Sequence, residues 1–103
     1  MELQDSIVQA LEDMKGIDLI SLDVRKLTSI TDHMVIVSGN TPRHTRSMMN
    51  ALLDMAVKQN FEKPRIEGDE EGQWILVNFG DAICHIMLPD VRRYYALEKL
   101  WSI

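Results

Sequence analysis

Asp81, Cys84 and His85 stand close together in the chain, and a carboxylate, a thiol and an imidazole are the parts of an activated nucleophile. Neighbouring residues decide whether they can meet. Cys84 and His85 are adjacent in a run that reads as a β-strand, so their side chains point to opposite faces of a sheet. The imidazole cannot then take the thiol proton, and Cys84, on an otherwise apolar face, reads as a small core residue. A metal-dependent enzyme acting on phosphates needs paired carboxylates on a strand, because two ions must clamp the transferring group. The first strand offers Asp18 and Asp23, whose odd spacing places them on opposite sides; the later hairpin offers only Asn78 and Asp81, the latter in a turn. His33, His44 and His85 lie in separate elements without ligand-pair spacing. No catalytic residue, metal or cofactor is assigned.

A second candidate is the turn Ser38-Gly39-Asn40-Thr41-Pro42-Arg43-His44, which leads from a strand into a helix. Helix N-termini attract anions through free N–H groups and the helix dipole, and Arg43, His44 and Arg46 add positive charge. The segment nevertheless has one glycine and no Lys-Ser/Thr pair, so it is not a phosphate-binding loop. It reads as a capped helix start with a solvated first turn, Thr41 capping and Pro42 in first position.

The elements that must position any site are clearest between Gln73 and Trp101. Two apolar runs flank Gly80-Asp81, and a glycine at the first central position of a two-residue loop favours a type II′ hairpin. That turn sets the register: Phe79 faces Ala82, Asn78 faces Ile83, Val77 faces Cys84, Leu76 faces His85, Ile75 faces Ile86 and Trp74 faces Met87. Alternation then separates two faces. Ile75, Val77, Phe79, Ala82, Cys84, Ile86 and Leu88 make a wholly apolar core face. Trp74, Leu76, Asn78, Ile83, His85 and Met87 make a mixed face. Left uncovered, that face is an apolar patch with an aromatic anchor and an adaptable methionine, the composition of a protein interface.

Upstream, Leu3, Ile7, Ala10, Leu11 and Met14 recur at helical spacing, and Gly16 is placed to stop the helix. Ile20, Leu22 and Val24 alternate with Ser21 and Asp23 as in a strand. Met34 to Val37 is a continuous apolar run, β-branched at Val35, Ile36 and Val37, suited to a buried central strand. Met48, Met49, Leu52, Leu53, Ala56 and Val57 supply the apolar stripe of a second helix. An acidic loop follows, EKPRIEGDEEG, with a short edge strand expected at Arg65 to Glu67. Asp90 is expected to cap a last helix that packs through Val91, Tyr94, Leu97, Leu100 and Trp101 and exposes Arg92, Arg93, Glu98 and Lys99. The order predicts an α/β fold, a single mixed-sheet domain with covering helices.

The chain has 103 residues, 46% hydrophobic, with formal net charge −5. That length suits one domain, residues 1–103. The acidic balance disfavours a general nucleic-acid binder, which needs clustered Lys and Arg, and fits a basic protein partner. One cysteine excludes an internal disulfide and suits a reducing compartment. No stretch reaches the roughly 18 consecutive apolar residues of a membrane helix, and the acidic start is unlike a targeting peptide. The expected location is the cytoplasm.

Several stretches together match a known family: Leu22-Asp23-Val24, then SITDHMVIVSGN, Arg43-His44, WILVNFGD through His85-Ile86-Met87, Arg92, and Tyr95 to Trp101. Over nearly its whole length the chain resembles the ribosomal silencing factors, also called Iojap-like proteins. Pro42, the Ser47-Met48-Met49-Asn50 run and Cys84 depart from the usual pattern, all away from the mixed face. The resemblance implies a nucleotidyltransferase-like fold, here without the catalytic carboxylates. It further implies a translational repressor that binds protein fourteen of the large ribosomal subunit and blocks joining of the small subunit. A homodimer is implied as well. The residues matching Trp74 and Tyr95 are partner contacts in that family, and Leu76, Asn78, His85 and Met87 of the mixed face join them as the expected binding set. The alternative is a nucleotidyltransferase-like enzyme or nucleotide-binding module. Contact with ribosomal RNA would be incidental, through Arg43/Arg46 or Arg92/Arg93.

Overall fold

The Gly80-Asp81 turn closes as its residues demand. In the computed structural model, which describes the backbone of residues 2–101 and the side chains of residues 2–99, the Phe79 N–H donates to the Ala82 carbonyl at 2.9 Å. Gly80 takes φ +89° while Asp81 keeps a negative φ, as a type II′ turn requires. The chain runs through α1 (Leu3–Asp13), β1 (Ile17–Asp23), β2 (His33–Ser38), α2 (Pro42–Lys58), β3 (Arg65–Glu67), β4 (Trp74–Asn78), β5 (Ala82–Met87), α3 (Pro89–Tyr95) and α4 (Leu97–Trp101). The β4–β5 register is the one the turn dictates, from Asn78 opposite Ile83 to Trp74 opposite Met87.

The strands form one sheet in the order β1-β2-β5-β4-β3. Only the β2–β5 pair is parallel, and it sits at the centre. That pairing aligns two apolar strands, so each face of the sheet gathers a cluster. On one side Val35, Val37, Ile75, Val77, Ala82, Cys84 and Ile86 pack under α1 and α2, which contribute Ile7, Leu11, Met48, Met49, Leu52 and Met55. On the other, Val24, Met34, Ile36, Ile83 and Met87 are buried, with Leu22, Trp74, Leu76, Val91 and Leu97 packed against them. A sheet covered on both faces must be apolar on both, which is why the central strands read as continuous rather than alternating.

The helix ends differ from expectation. Lys15, not Gly16, is the left-handed residue that closes α1, at φ 60°. The Lys15 N–H donates to the Glu12 carbonyl and the Gly16 N–H to the Leu11 carbonyl, each at 2.9 Å, which is a Schellman closure. Gly16 is needed for space: a Cβ there would lie 2.6 Å from Val37 Cγ2. In α2, Val57 is exposed and Met55 takes its place in the buried stripe, because the stripe centres on Met48, Leu52 and Met55. Asp90 does not cap α3. The helix starts at Pro89 with Leu88 as cap residue, and Asp90 in the first turn pairs with Arg93.

The last helix is two helices. Ala96 adopts φ 46° and ψ 49°, breaking the chain between α3 and α4. The break reverses two expected exposures: Tyr94 is 82% exposed and Arg92 only 7%. The expected packing of Leu100 and Trp101 lies outside the described side chains.

Candidate functional site

The mixed face of the hairpin carries a row of rings. Trp74 opens β4, and its indole N–H donates to Nδ1 of His85 on β5, 3.0 Å away, with ring centroids 5.9 Å apart. An accepting Nδ1 leaves the proton on Nε2, so His85 is in its neutral form. Burial drives it there, lowering its pKa to about 4. Tyr95, the last residue of α3, reaches the other side of Trp74 with centroids 4.8 Å apart and planes tilted by 50°. Tyr94 follows edge-on at 5.0 Å. Tyr95 is 52% exposed and Trp74 partly so, giving a surface in which apolar rings contact one another yet stay open on one side.

The expected set divides. Trp74, His85 and Tyr95 come together directly, and Leu76, paired with His85 across the ladder, lines a second hollow with Trp74, His85 and Glu67. Met87 does not reach the surface. At 0% exposure it is enclosed beside Trp74, its partner across the ladder, because Met34 and Ile36 of β2 flank it and Val91 of α3 packs on the same cluster. Asn78 stands at the other end of β4, about 13 Å away at the usual rise per residue. Its carboxamide oxygen accepts the Gly80 N–H at 2.8 Å, so it serves the turn.

One component was not assigned to the site from the sequence. The acidic turn before β4 folds against the rings, and Glu67, Asp69, Glu70 and Glu71 line a cleft of about 730 Å³ with Gln73, Trp74, Val91 and Tyr95. The turn is tied to α2 by Thr45, whose buried hydroxyl lies 2.6 Å from the Gly72 carbonyl. The signal was the run Asp69-Glu70-Glu71 just before Trp74. Its sequence proximity gave no direction, and only the sheet edge and α3 turn it toward the aromatic row.

The other candidates are occupied in structural roles. Cys84 is fully buried, burial pushes its thiol well up, and His85 lies on the opposite face. In the turn before α2, Thr41 Oγ1 accepts the His44 N–H at 3.1 Å. His44 Nδ1 accepts the Asn40 N–H at 3.1 Å, and its Nε2 donates to the Met14 carbonyl at 2.9 Å. These bonds take up the Asn40 and His44 N–H groups at the helix start. A bulge in β1, with Asp18 at φ 50°, shifts the strand's register between Ile17 and Ile20, so spacing alone does not separate Asp18 from Asp23. They part all the same. Asp18 lines a hollow with Ser38, Arg92 and Arg93, while Asp23 pairs with Arg25, which holds its carboxyl at about 2. Among the described residues no group of three or more His, Cys, Asp or Glu side chains could hold a metal ion, and no helix is long and apolar enough to cross a membrane.

Fold and face together define a small mixed-sheet α/β domain whose most developed polar–aromatic feature is an open surface row with an acidic flank. The chain matches, over residues 1–103, the family described as "Ribosomal silencing factor during starvation", and it belongs to that family. It is 40% identical over 102 residues to a ribosomal silencing factor of Haemophilus influenzae, covering 99% of this chain and 100% of that one. It is 39% identical over 101 residues to the Chromobacterium violaceum ribosomal silencing factor, covering 98% and 83%. A crystal structure of a Chromobacterium violaceum protein superposes with a TM-score of 0.92 at 39% identity, over 98% of this chain and 87% of that one.

Proposed function

We propose that this protein silences translation by docking on the large ribosomal subunit through its protein fourteen, and that the docked protein blocks joining of the small subunit. Family membership supports a ribosome-associated silencing role. The observation that carries the finer reading is the Trp74–Tyr95 pair, half open to solvent and flanked by four carboxylates. Interfaces concentrate their affinity in a few aromatic anchors, and an acidic rim steers toward a basic protein surface. Trp74, Tyr95, His85 and Leu76 are the contact residues in this reading. The protein acts as a single domain in the cytoplasm, without a cofactor and without catalysing a reaction, and the family resemblance extends this reading to a homodimer.

Sedimentation of purified subunits tests the proposal. The protein is expected in large-subunit fractions and absent from small-subunit fractions, and saturating amounts should slow subunit joining measured by light scattering. Equal recovery on both subunits, or joining at the unperturbed rate, refutes it.

A further inference from the structure

Tyr95 reaches Trp74 from a short helix whose apolar seat on the sheet is Val91. The seven residues of α3 are too few for a stable isolated helix. Its exposed side offers Tyr94, and its Asp90–Arg93 pair lies in solvent, where ion pairs contribute little. Beside the apolar seat of Val91 on the sheet, the polar tether of the helix is Arg92. Its guanidinium is buried, and it donates from Nη1 to the Ser38 hydroxyl at 3.0 Å and to the Ile17 carbonyl at 3.3 Å. Its Nε donates to Glu98 at 3.3 Å. These acceptors belong to β2, β1 and α4, so one side chain ties α3 to three elements. A buried charge held this way is costly to leave unpaired, which makes the geometry narrow.

The Arg92–Glu98 pair also requires the break at Ala96. In a straight helix, residues six apart lie about 9 Å apart along the axis and on different sides. The left-handed Ala96, whose N–H donates to the Arg92 carbonyl at 2.8 Å, folds α4 back so that Glu98 meets the guanidinium. That fold leaves Tyr95 as the final residue of α3, with its ring on Trp74.

We propose that Arg92 is a positioning residue for the docking face: it touches no partner, and it acts by holding Tyr95 against Trp74. This rests on the docking reading above. The test is a double-mutant cycle in the full chain, with large-subunit binding measured for Arg92→Met, Tyr95→Ala and the double variant, each checked for folding. Arg92→Met is expected to weaken binding on the order of tenfold in the parent and less than about twofold once Tyr95 is alanine. Equal losses in both backgrounds, or no loss in the parent, overturn the role of Arg92 while leaving the docking reading intact. Normal binding by both Tyr95→Ala and Trp74→Ala would overturn the docking reading instead.

Near-ultraviolet circular dichroism in a Trp101→Phe background reads the ring contact without the ribosome. Arg92→Met should abolish the signal that Tyr95→Ala abolishes, and an unchanged signal overturns the positioning role whatever the binding result. Should Arg92→Met fail to fold, Ser38→Ala removes one of the three tethers and takes its place in both measurements. It is expected to weaken binding about threefold, with the same dependence on Tyr95.

Discussion

Trp74 and His85 are joined by a hydrogen bond that only a neutral imidazole can accept: the indole N–H points at Nδ1, 3.0 Å away. Protonation would turn that nitrogen into a donor facing a donor. The same bond that holds the aromatic anchor in place therefore ties its orientation to pH.

Acid should destabilise the fold through His85. Its folded pKa is lowered to about 4 from an ordinary 6.5, so the unfolded chain takes up the proton first. The contribution is complete above pH 6.5 and is lost as pH falls from there to about 4. Its full size is on the order of 3 kcal/mol. Urea midpoints at pH 7.5 and pH 4.5 should fall less for His85→Gln than for the parent. An equal fall in both would remove His85 as the cause.

Trp74→Glu should separate binding from folding. Loss of a central interface aromatic typically costs about 2 kcal/mol, roughly thirtyfold in affinity. The larger cluster under α1 and α2 does not include Trp74, so a cooperative melt should persist. Thermal melts and subunit binding on one sample check this. A folded variant that binds normally would take Trp74 out of the docking face.

At the end of α1, neighbouring positions should respond in opposite directions. Lys15 is exposed and held at φ 60°, so Lys15→Gly should stabilise by about 1 kcal/mol by relieving the left-handed strain. Gly16→Ala should destabilise by about 1–3 kcal/mol, because its Cβ would meet Val37 Cγ2 at 2.6 Å. Chemical denaturation of the two variants checks both signs.

No nucleotidyl transfer is expected with any nucleoside triphosphate and Mg²⁺. The strand carboxylates do not form the pair that two ions need: Asp23 is bound to Arg25, and Asp18 lines a separate hollow with Arg92 and Arg93. Metal-dependent pyrophosphate release that disappears on Asp18→Ala would contradict this.

Much of the fold was legible because its signals are local. The Gly80 turn sets the pairing of Trp74 with Met87 through a handful of adjacent residues, and Thr41-Pro42 starts α2 with its own cap. The edge strand at Arg65–Glu67 lay where the acidic loop left room for it. Trp74, Tyr95 and His85 could be nominated because a period of two puts Trp74 and His85 on one face, and because family resemblance marked Trp74 and Tyr95.

Burial, by contrast, depends on what lies across the gap, and composition is silent on that. Arg92 looked like a solvated charge on a helix and is instead enclosed, because Ile17, Ser38 and Glu98 converge on it from distant parts of the chain. Nothing local requires Ala96 to turn left-handed; the Arg92–Glu98 pair and the seat for Leu97 on the lower cluster favour it. Met87 had the right face but lost its exposure to β2 and α3. The amino-acid order alone determined the hairpin, its register and the residues that share its mixed face, since neighbouring φ, ψ and side-chain alternation suffice for these. Tertiary packing decided which of those residues see solvent, and that the acidic turn and Tyr95 meet at Trp74, since only contacts between elements far apart in sequence set those positions.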